Sequence, residues 1–280
     1  MELNHILLFT AVATSLLLLL QALHPQDPGT RARAAIVLIT AALAWLVARP
    51  IAGWLSALVW CGLLVVPFFL RNRARLKQYP RYRMSRIILS PVVRWIIIVN
   101  VAVFILELLV GGSTNPVTLH RLGELDTNSV VYRHQYWRLL ASLFLHYGPI
   151  HIFFNLFALV LLGPALERQI GSVLFAICYL VSGIGSNIAV VLLTKLRLLD
   201  PVQLVGASGC VMGVVGTWAG FLLSHRHAPL ARQRLRNIVV IVLLQLTFDL
   251  VTPRVSMSAH LGGLVTGFFL GLLLPRNGEK

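Results

Sequence analysis

The chain has 280 residues, of which 58% are hydrophobic and only 12% are charged. A soluble domain typically carries about a quarter of charged residues, so a soluble fold would have to bury every apolar run of this chain in one small core. The formal net charge of +15 lies mainly in short loops between apolar runs, and no soluble basic face for nucleic acid is evident. Composition therefore predicts a membrane protein that binds no nucleic acid.

Long apolar runs recur along the chain, and their flanks extend them toward the roughly 20 residues that a membrane-spanning helix needs. Those before an arginine-rich segment are Ile6–Leu20, Ala34–Ala48 and Ile51–Leu70, and those after it are Ile87–Val110, Ile150–Leu166, Val173–Leu193, Val211–Leu223, Ile238–Leu250 and Leu261–Leu274. The first run lacks a basic flank and a small-residue cleavage site, which favours a retained helix over a signal peptide. We predict an all-α polytopic membrane protein, in which a six-helix core follows about three extra transmembrane helices.

The predicted organisation has three parts: N-terminal transmembrane helices of unknown role (residues 1–70), a basic cytoplasmic linker (71–86) and the core (87–280). Two acid-free basic clusters orient these helices: Arg71, Arg73, Arg75, Lys77, Arg81, Arg83 and Arg86 form the first, and Arg226, Arg232, Arg234 and Arg236 form the second. Short basic loops stay in the cytoplasm and contact anionic headgroups. With both clusters inside, the helices beginning near Ile150, Val211 and Leu261 run inward, and the loop Gly111–Leu145 lies outside.

Polar residues lie near the outer ends of these inward-running helices. Ser208 is about six residues inside a helix predicted to begin at Val202, and His260 is about five residues inside the last helix, so both lie about 8–9 Å below the outer surface. His151 and Asn155 lie at a similar depth, and their spacing of four residues puts them on one helix face. Polar side chains at such depth are costly, which indicates a functional site.

Each of these residues also has a plainer interpretation. A serine among glycines is more often packing material, His151 and Asn155 suit interhelical hydrogen bonding, and His260 suits a pore or a metal site. The convergence of all of them at one depth favours a shared site. Glycines at four-residue spacing predict close contact between the two helices that carry the serine and the last histidine: Gly209 and Gly213 in one, Gly263, Gly267 and Gly271 in the other. A hydrogen bond between serine and histidine requires such contact.

These motifs resemble those of the rhomboid family of intramembrane serine proteases. The matching patterns are, in family order, H-x-x-x-N at 151–155, G-A-S-G at 206–209 and A-H-x-x-G-x-x-x-G at 259–267. Trp137-Arg138 resembles the W-R pair of the family, and Glu167-Arg168 resembles the acidic–basic pair after the second core helix. The resemblance covers about residues 86 to 275.

The resemblance implies a serine endopeptidase with Ser208 as nucleophile and His260 as general base, since a serine hydroxyl is a weak nucleophile until a base takes its proton. It implies an oxyanion hole formed by His151, Asn155 and the Ser208 backbone N–H. Supporting roles fall to Gly206, Gly209, His146, Trp137 and Arg138. No cofactor and no metal are implied. The expected partners are the lipid bilayer and single-span membrane proteins, which are cut near the outer end of the span.

The chain departs from the family pattern at two places. Many relatives have a tyrosine four residues after the serine, where this chain has Met212; its thioether can pack on the imidazole, although His260 is then expected to be less firmly oriented. The three helices before Ile87 are an addition to the minimal core, and Glu2–Leu70 carries no recognised motif. Asp249 suggests a third catalytic member, but the family dyad lacks an acid, so we interpret Asp249 as a polar contact or a loop-edge residue.

Two other function classes stay open. A catalytically inactive rhomboid-like protein that binds clients typically lacks the serine or the histidine, and both are present here. A transporter or channel could use His146, His151 and His260 to line a path, although no internal repeat is evident. Zinc and aspartyl intramembrane proteases are disfavoured, because the chain has neither H-E-x-x-H nor G-x-G-D.

The cysteines and the arginine content indicate the cellular setting. The cysteines Cys61, Cys178 and Cys210 each lie within an apolar run, which is typical of buried thiols. The arginine content and the lack of a recognisable targeting segment predict a prokaryotic inner membrane, with an organelle membrane as the alternative. The physiological substrate and the oligomeric state stay open at this point.

Overall fold

The computed structural model describes residues 90–227, 231–251 and 256–275. The predicted N-terminal helices, the basic linker and Cys61 lie outside these residues. Of the described residues, 90–238 and 256–275 belong to one compact unit, and residues 239–251 belong to a second one. Cys178 and Cys210 are buried free thiols, as predicted.

The described residues are mainly helical, which confirms the all-α class. In chain order the elements are α1 (Pro91–Val110), α2 (Pro116–Leu122), β1 (Leu125–Asp126), α3 (Thr127–Arg133), α4 (Arg138–Ala141), α5 (Pro149–Ile170), α6 (Ser172–Lys195), β2 (Gln203–Leu204), α7 (Ser208–Ser224), α8 (Ala231–Val251) and α9 (Met257–Leu273). Both α1 and α5 begin with proline, whose missing N–H costs nothing at the first helical position. The long helices α1, α5, α6, α7, α8 and α9 correspond to the core helices that the apolar runs predict.

Three of the described helices, α1, α5 and α6, are long and apolar enough to cross a membrane by length and composition. The apolar helices α7 and α9 have 17 residues each, which corresponds to about 25 Å. Helix α7 packs against α5, α6 and α9, and most of its residues are buried. It is therefore the central helix of this unit.

The glycine faces of α7 and α9 meet as the sequence predicts. A Cβ atom at Gly263 would overlap the carbonyl oxygen of Gly209, and one at Gly267 would overlap that of Gly213. Farther along, a Cβ at Gly271 would overlap the carbonyl oxygen of Thr217. The two backbones are thus in direct contact over several turns, because no side chain separates them.

The expected outer loop Gly111–Leu145 is largely folded: it contains α2, β1, α3 and α4. Strand β1 pairs antiparallel with β2, with Leu125 opposite Leu204. This pairing corrects the predicted start of the serine helix, which begins at Ser208 and not at Val202. Gln203 and Leu204 are extended, and Gly206 then adopts a φ of +133°, which glycine tolerates and a helix does not use.

Glu167 connects α1 and α5 at the ends that the basic clusters predict to face the cytoplasm. Its carboxylate is buried and accepts the backbone N–H groups of Val92 and Val93, both at 3.0 Å, and the Ser172 hydroxyl at 2.7 Å. The first N–H groups of a helix have no partner within the helix, and a carboxylate also suits the positive end of the helix dipole. Glu167 therefore caps α1 from another helix.

Candidate active site

Ser208 and His260 lie where α7 and α9 touch. Ser208 is the first residue of α7 and is half-buried, whereas His260 is the fourth residue of α9 and is 4% exposed. The Cβ position of Gly209, next to the serine, lies 3.9 Å from the carbonyl oxygen of Ala259, next to the histidine. One turn on, Gly209 and Gly263 are in backbone contact. Residues before and after His260 in α9, Ala259 and Gly263, therefore both lie close to Gly209 of α7.

Gly206 joins this place to α5. A Cβ atom at Gly206 would lie 2.7 Å from Cε1 and 2.8 Å from Nε2 of His151, and 3.8 Å from Nδ2 of Asn155. The positive φ and the lack of space both require glycine here. The turn that leads into Ser208 is therefore packed against the imidazole and amide that share one face of α5, as predicted.

The hydrogen bonds of α5 leave donors near this turn. Nδ1 of His151 accepts the Tyr147 backbone N–H at 3.3 Å, and a neutral imidazole then carries its hydrogen on Nε2. Nδ2 of Asn155 donates to the His151 carbonyl at 3.1 Å, which uses one of its two hydrogens. The same turn lies beside α9, because the Cβ position of Gly209 is 3.9 Å from the Ala259 carbonyl oxygen. Residues from α5, α7 and α9 therefore contribute to one site.

His146 supports this site from the segment before α5. Burial, together with the nearby His151, lowers the pKa of His146 to about 3, so the ring is neutral at physiological pH. Its Nδ1 donates to the Phe144 carbonyl at 3.1 Å. The ring packs edge-on against His151 with centroids 5.3 Å apart. This arrangement suits the structural role expected of His146.

Trp137 and Arg138 organise the outer segment and do not form part of the Ser208 contacts described above. The Arg138 guanidinium lies 4.8 Å from the centroid of the Trp137 ring and donates to the carbonyls of His120 and Glu124 at 2.9 and 3.0 Å. A link to the site runs through Ser142, whose hydroxyl donates to the Arg138 carbonyl at 2.7 Å. The Ser142 carbonyl accepts the N–H of Gly206 at 2.9 Å.

Several polar residues that hold the site were not predicted from the sequence. Nδ2 of Asn187 donates to the Leu139 carbonyl and to the Ser142 hydroxyl, both at 2.9 Å. The Ser186 hydroxyl donates to the Ala259 carbonyl at 2.6 Å, beside His260. All of these are polar residues within or beside apolar runs. Because polar side chains are costly there, this position in the sequence could have indicated their role.

Asp249 and Met212 have expected secondary roles. Asp249 accepts a hydrogen bond from Nε2 of Gln245 at 2.8 Å, which agrees with its interpretation as a polar contact. Met212 is buried and stands four residues after Ser208, on the same face of α7. Its packing on His260 stays a prediction.

The described residues thus form a helical membrane fold in which a serine and a histidine lie near one end of two packed helices. The family model for the Rhomboid domain matches residues 133–277, which is more than half of the chain. The chain belongs to the rhomboid family and is an integral membrane protein.

Known relatives agree with this family. The chain is 37% identical over 184 residues to rhomboid protease GluP of Bacillus subtilis, an alignment that covers 65% of this chain and 35% of the relative. It is 36% identical over 165 residues to RHOMBOID-like protein 6, mitochondrial, of Arabidopsis thaliana (58% and 52% covered). It is 31% identical over 192 residues to the putative rhomboid protease YdcA of Bacillus subtilis (69% and 92%). The chain thus spans about a third to a half of the length of the first two relatives.

Proposed function

We propose that the protein is an intramembrane serine endopeptidase in which Ser208 attacks the peptide carbonyl and His260 acts as general base. The observation that carries the proposal is the backbone contact between Gly209 and Gly263, which brings the flanking serine and histidine to one end of α7 and α9. Family membership and the names of the relatives support the same activity.

The start of α7 at Ser208 supports an oxyanion hole. The first hydrogen bond of the helix runs from the Val211 N–H to the Ala207 carbonyl at 3.0 Å, so the helix does not use the Ser208 N–H. That N–H, at the positive end of the helix dipole, can stabilise a developing oxyanion. Nε2–H of His151 and the second hydrogen of Asn155 Nδ2 supply further donors, each worth roughly 3–4 kcal/mol in such sites.

The chemistry then follows the two-step course of acyl transfer. The Ser208 hydroxyl oxygen bonds to the peptide carbon as His260 takes its proton, and the carbonyl oxygen becomes the oxyanion. When the peptide C–N bond breaks, His260 returns the proton to the leaving amine. Water then attacks the acyl-enzyme with His260 again as base, which restores the serine.

We propose single-span membrane proteins as substrates, cut near the outer end of the span, because an intact helix shields its peptide bonds from attack. Residues 87–280 form the protease core in this proposal, preceded by the linker 71–86 and the helices of residues 1–70. The second arginine cluster, which follows α7, agrees with a cytoplasmic inner side. A prokaryotic inner membrane is the proposed location.

The test uses the full chain, purified in detergent, with a labelled fluorophosphonate probe and a panel of single-span substrates whose cleavage products are measured by mass. Ser208→Ala and His260→Ala are each expected to abolish labelling and cleavage, because loss of either member disables the unit. The matched control is Ser224→Ala at the far end of α7, where the exposed hydroxyl donates to the Phe221 carbonyl at 3.1 Å.

Labelling of Ser208→Ala at the wild-type rate would assign the nucleophile to another serine. A folded wild-type chain that neither labels nor cleaves would instead support the client-binding alternative. Loss of activity in Ser224→Ala would indicate that any disturbance of α7 inactivates the protein, and the dyad would then lose its support.

A further inference from the structure

Glu107 is a carboxylate buried within the apolar helix α1. Glu107 is 0% exposed. It lies on the buried face of α1 together with Val93 and Asn100, and the three residues are spaced seven apart. An acidic side chain at such a position is costly and is retained where it serves a specific role. Oε2 has no hydrogen-bond partner among the described residues, whereas Oε1 accepts the backbone N–H of His146 at 2.9 Å.

The hydrogen bond from His146 holds the segment that leads into α5. This segment turns sharply, because the Gly148 N–H donates to the His146 carbonyl at 3.0 Å. Glu107 holds the N–H of His146, and the next N–H along the chain belongs to Tyr147. The Tyr147 N–H donates to Nδ1 of His151 at 3.3 Å. The carboxylate of α1 and the imidazole of α5 are therefore joined through two successive backbone N–H groups.

The Tyr147 N–H decides which tautomer His151 adopts. A ring nitrogen that accepts a hydrogen bond carries no hydrogen, so a neutral His151 holds its single hydrogen on Nε2. Nε2 is also the ring nitrogen 2.8 Å from the Cβ position of Gly206, beside the turn into Ser208. With the other tautomer, Nε2 would face the candidate site as an acceptor, which repels an oxyanion.

We propose that Glu107 is a positioning residue: by holding the His146 peptide, it places the Tyr147 N–H so that His151 presents Nε2–H to the oxyanion. The inference rests on the proposed function, because it takes this site to be the oxyanion hole of a protease. The tautomer itself does not depend on activity, and it can be measured in the inactive Ser208→Ala protein. The edge-on contact of His146 with His151 would shift with the same segment.

The experiment combines ¹⁵N NMR of histidine-labelled protein with kinetics. Wild-type His151 is expected as the neutral Nε2–H tautomer near pH 7, with its signals assigned by comparison with His151→Ala. Glu107→Leu should give a mixed or reversed tautomer and lower kcat, by up to the roughly 10²–10³-fold that loss of one oxyanion donor costs, with little change in KM. Glu107→Gln keeps a carbonyl acceptor for the His146 N–H and should restore both the tautomer and most of kcat.

Asn100→Leu is the matched control, because Asn100 lies on the same buried face of α1. Its Nδ2 donates to the Ile96 carbonyl of the same helix at 2.7 Å. It should lower the thermal stability and leave the His151 tautomer unchanged. The proposal is overturned if Glu107→Leu keeps the wild-type tautomer, or if Asn100→Leu changes it equally. An Nδ1–H or charged His151 in the wild-type protein overturns it even if Glu107→Leu fails to fold. A correct tautomer in a protein without protease activity would instead contradict the proposed function alone.

Discussion

The backbones of Gly209 in α7 and Gly263 in α9 are in direct contact, so that a Cβ atom at Gly263 would overlap the carbonyl oxygen of Gly209. Ser208 and His260 flank this contact, and the distance between their helices is therefore set by two residues without side chains. Any group added there must push the helices apart at the level of the candidate site.

Gly263→Ala is accordingly expected to destabilise the protein by about 1–3 kcal/mol, as overpacking does, and to slow fluorophosphonate labelling of Ser208 strongly. Gly271→Ala is the matched control, because its Cβ would overlap the Thr217 carbonyl on the same two helices but two turns farther from the serine. It should cost similar stability with a much smaller effect on labelling. Equal loss of labelling in both variants at equal thermal stability would contradict a local role for the Gly263 contact.

Asn155→Ala is expected to reduce turnover by roughly 10²–10³-fold without preventing folding, because one oxyanion donor is lost. The control is Asn100→Ala: both amides donate to the carbonyl four residues earlier, at 3.1 Å for Asn155 and 2.7 Å for Asn100. Turnover of a model substrate and thermal unfolding are measured for both. An unchanged rate for Asn155→Ala would return this residue to interhelical hydrogen bonding.

A pH effect is expected in the outer segment at Asp126, the N-cap of α3. Burial favours the neutral acid, but hydrogen bonds from the Ser129 hydroxyl at 2.6 Å and the Asn128 N–H at 3.1 Å outweigh it, so the pKa of Asp126 lies below its usual value. A lowered pKa stabilises the fold above the unfolded-state pKa near 4, and this contribution disappears as the pH falls through the folded-state pKa.

Asp126→Asn keeps an N-cap acceptor without the charge. We expect it to be less stable than the wild type by about 0.3–1 kcal/mol at pH 6, and the difference should shrink as the pH falls through the folded-state pKa. Thermal unfolding in detergent between pH 3 and 7 measures this difference. A difference that grows toward acid pH would show that the carboxylate is not the stabilised form.

A truncated protein that begins at Lys77 is expected to insert and to cleave a model substrate. It keeps enough basic residues to orient α1, and all of the proposed catalytic residues follow residue 87. The rate is compared with that of the full chain in the same detergent, with loss of stability or altered substrate choice as the expected cost. A truncated protein that stays monodisperse but inactive would place the N-terminal helices in the catalytic unit.

Much of this protein was predictable from its sequence, because apolar runs and helical spacing are local properties. The runs identified the core helices, and the four-residue spacing of Gly209 and Gly213 matched that of Gly263 and Gly267, which indeed lie against each other. The spacing of His151 to Asn155 likewise placed both on the face of α5 that meets Gly206.

Tertiary structure decided what depends on partners distant in the sequence. Strand β1, about eighty residues upstream, holds residues 203 and 204 extended, so the helix starts at Ser208 and its N–H stays available. Glu107 meets a peptide 39 residues away, and Glu167 meets α1 across 75 residues. Apolar periodicity reports which face of a helix is buried, but a hydrogen bond between distant segments depends on where the whole chain places them. That dependence is why these polar contacts emerged only from the folded structure.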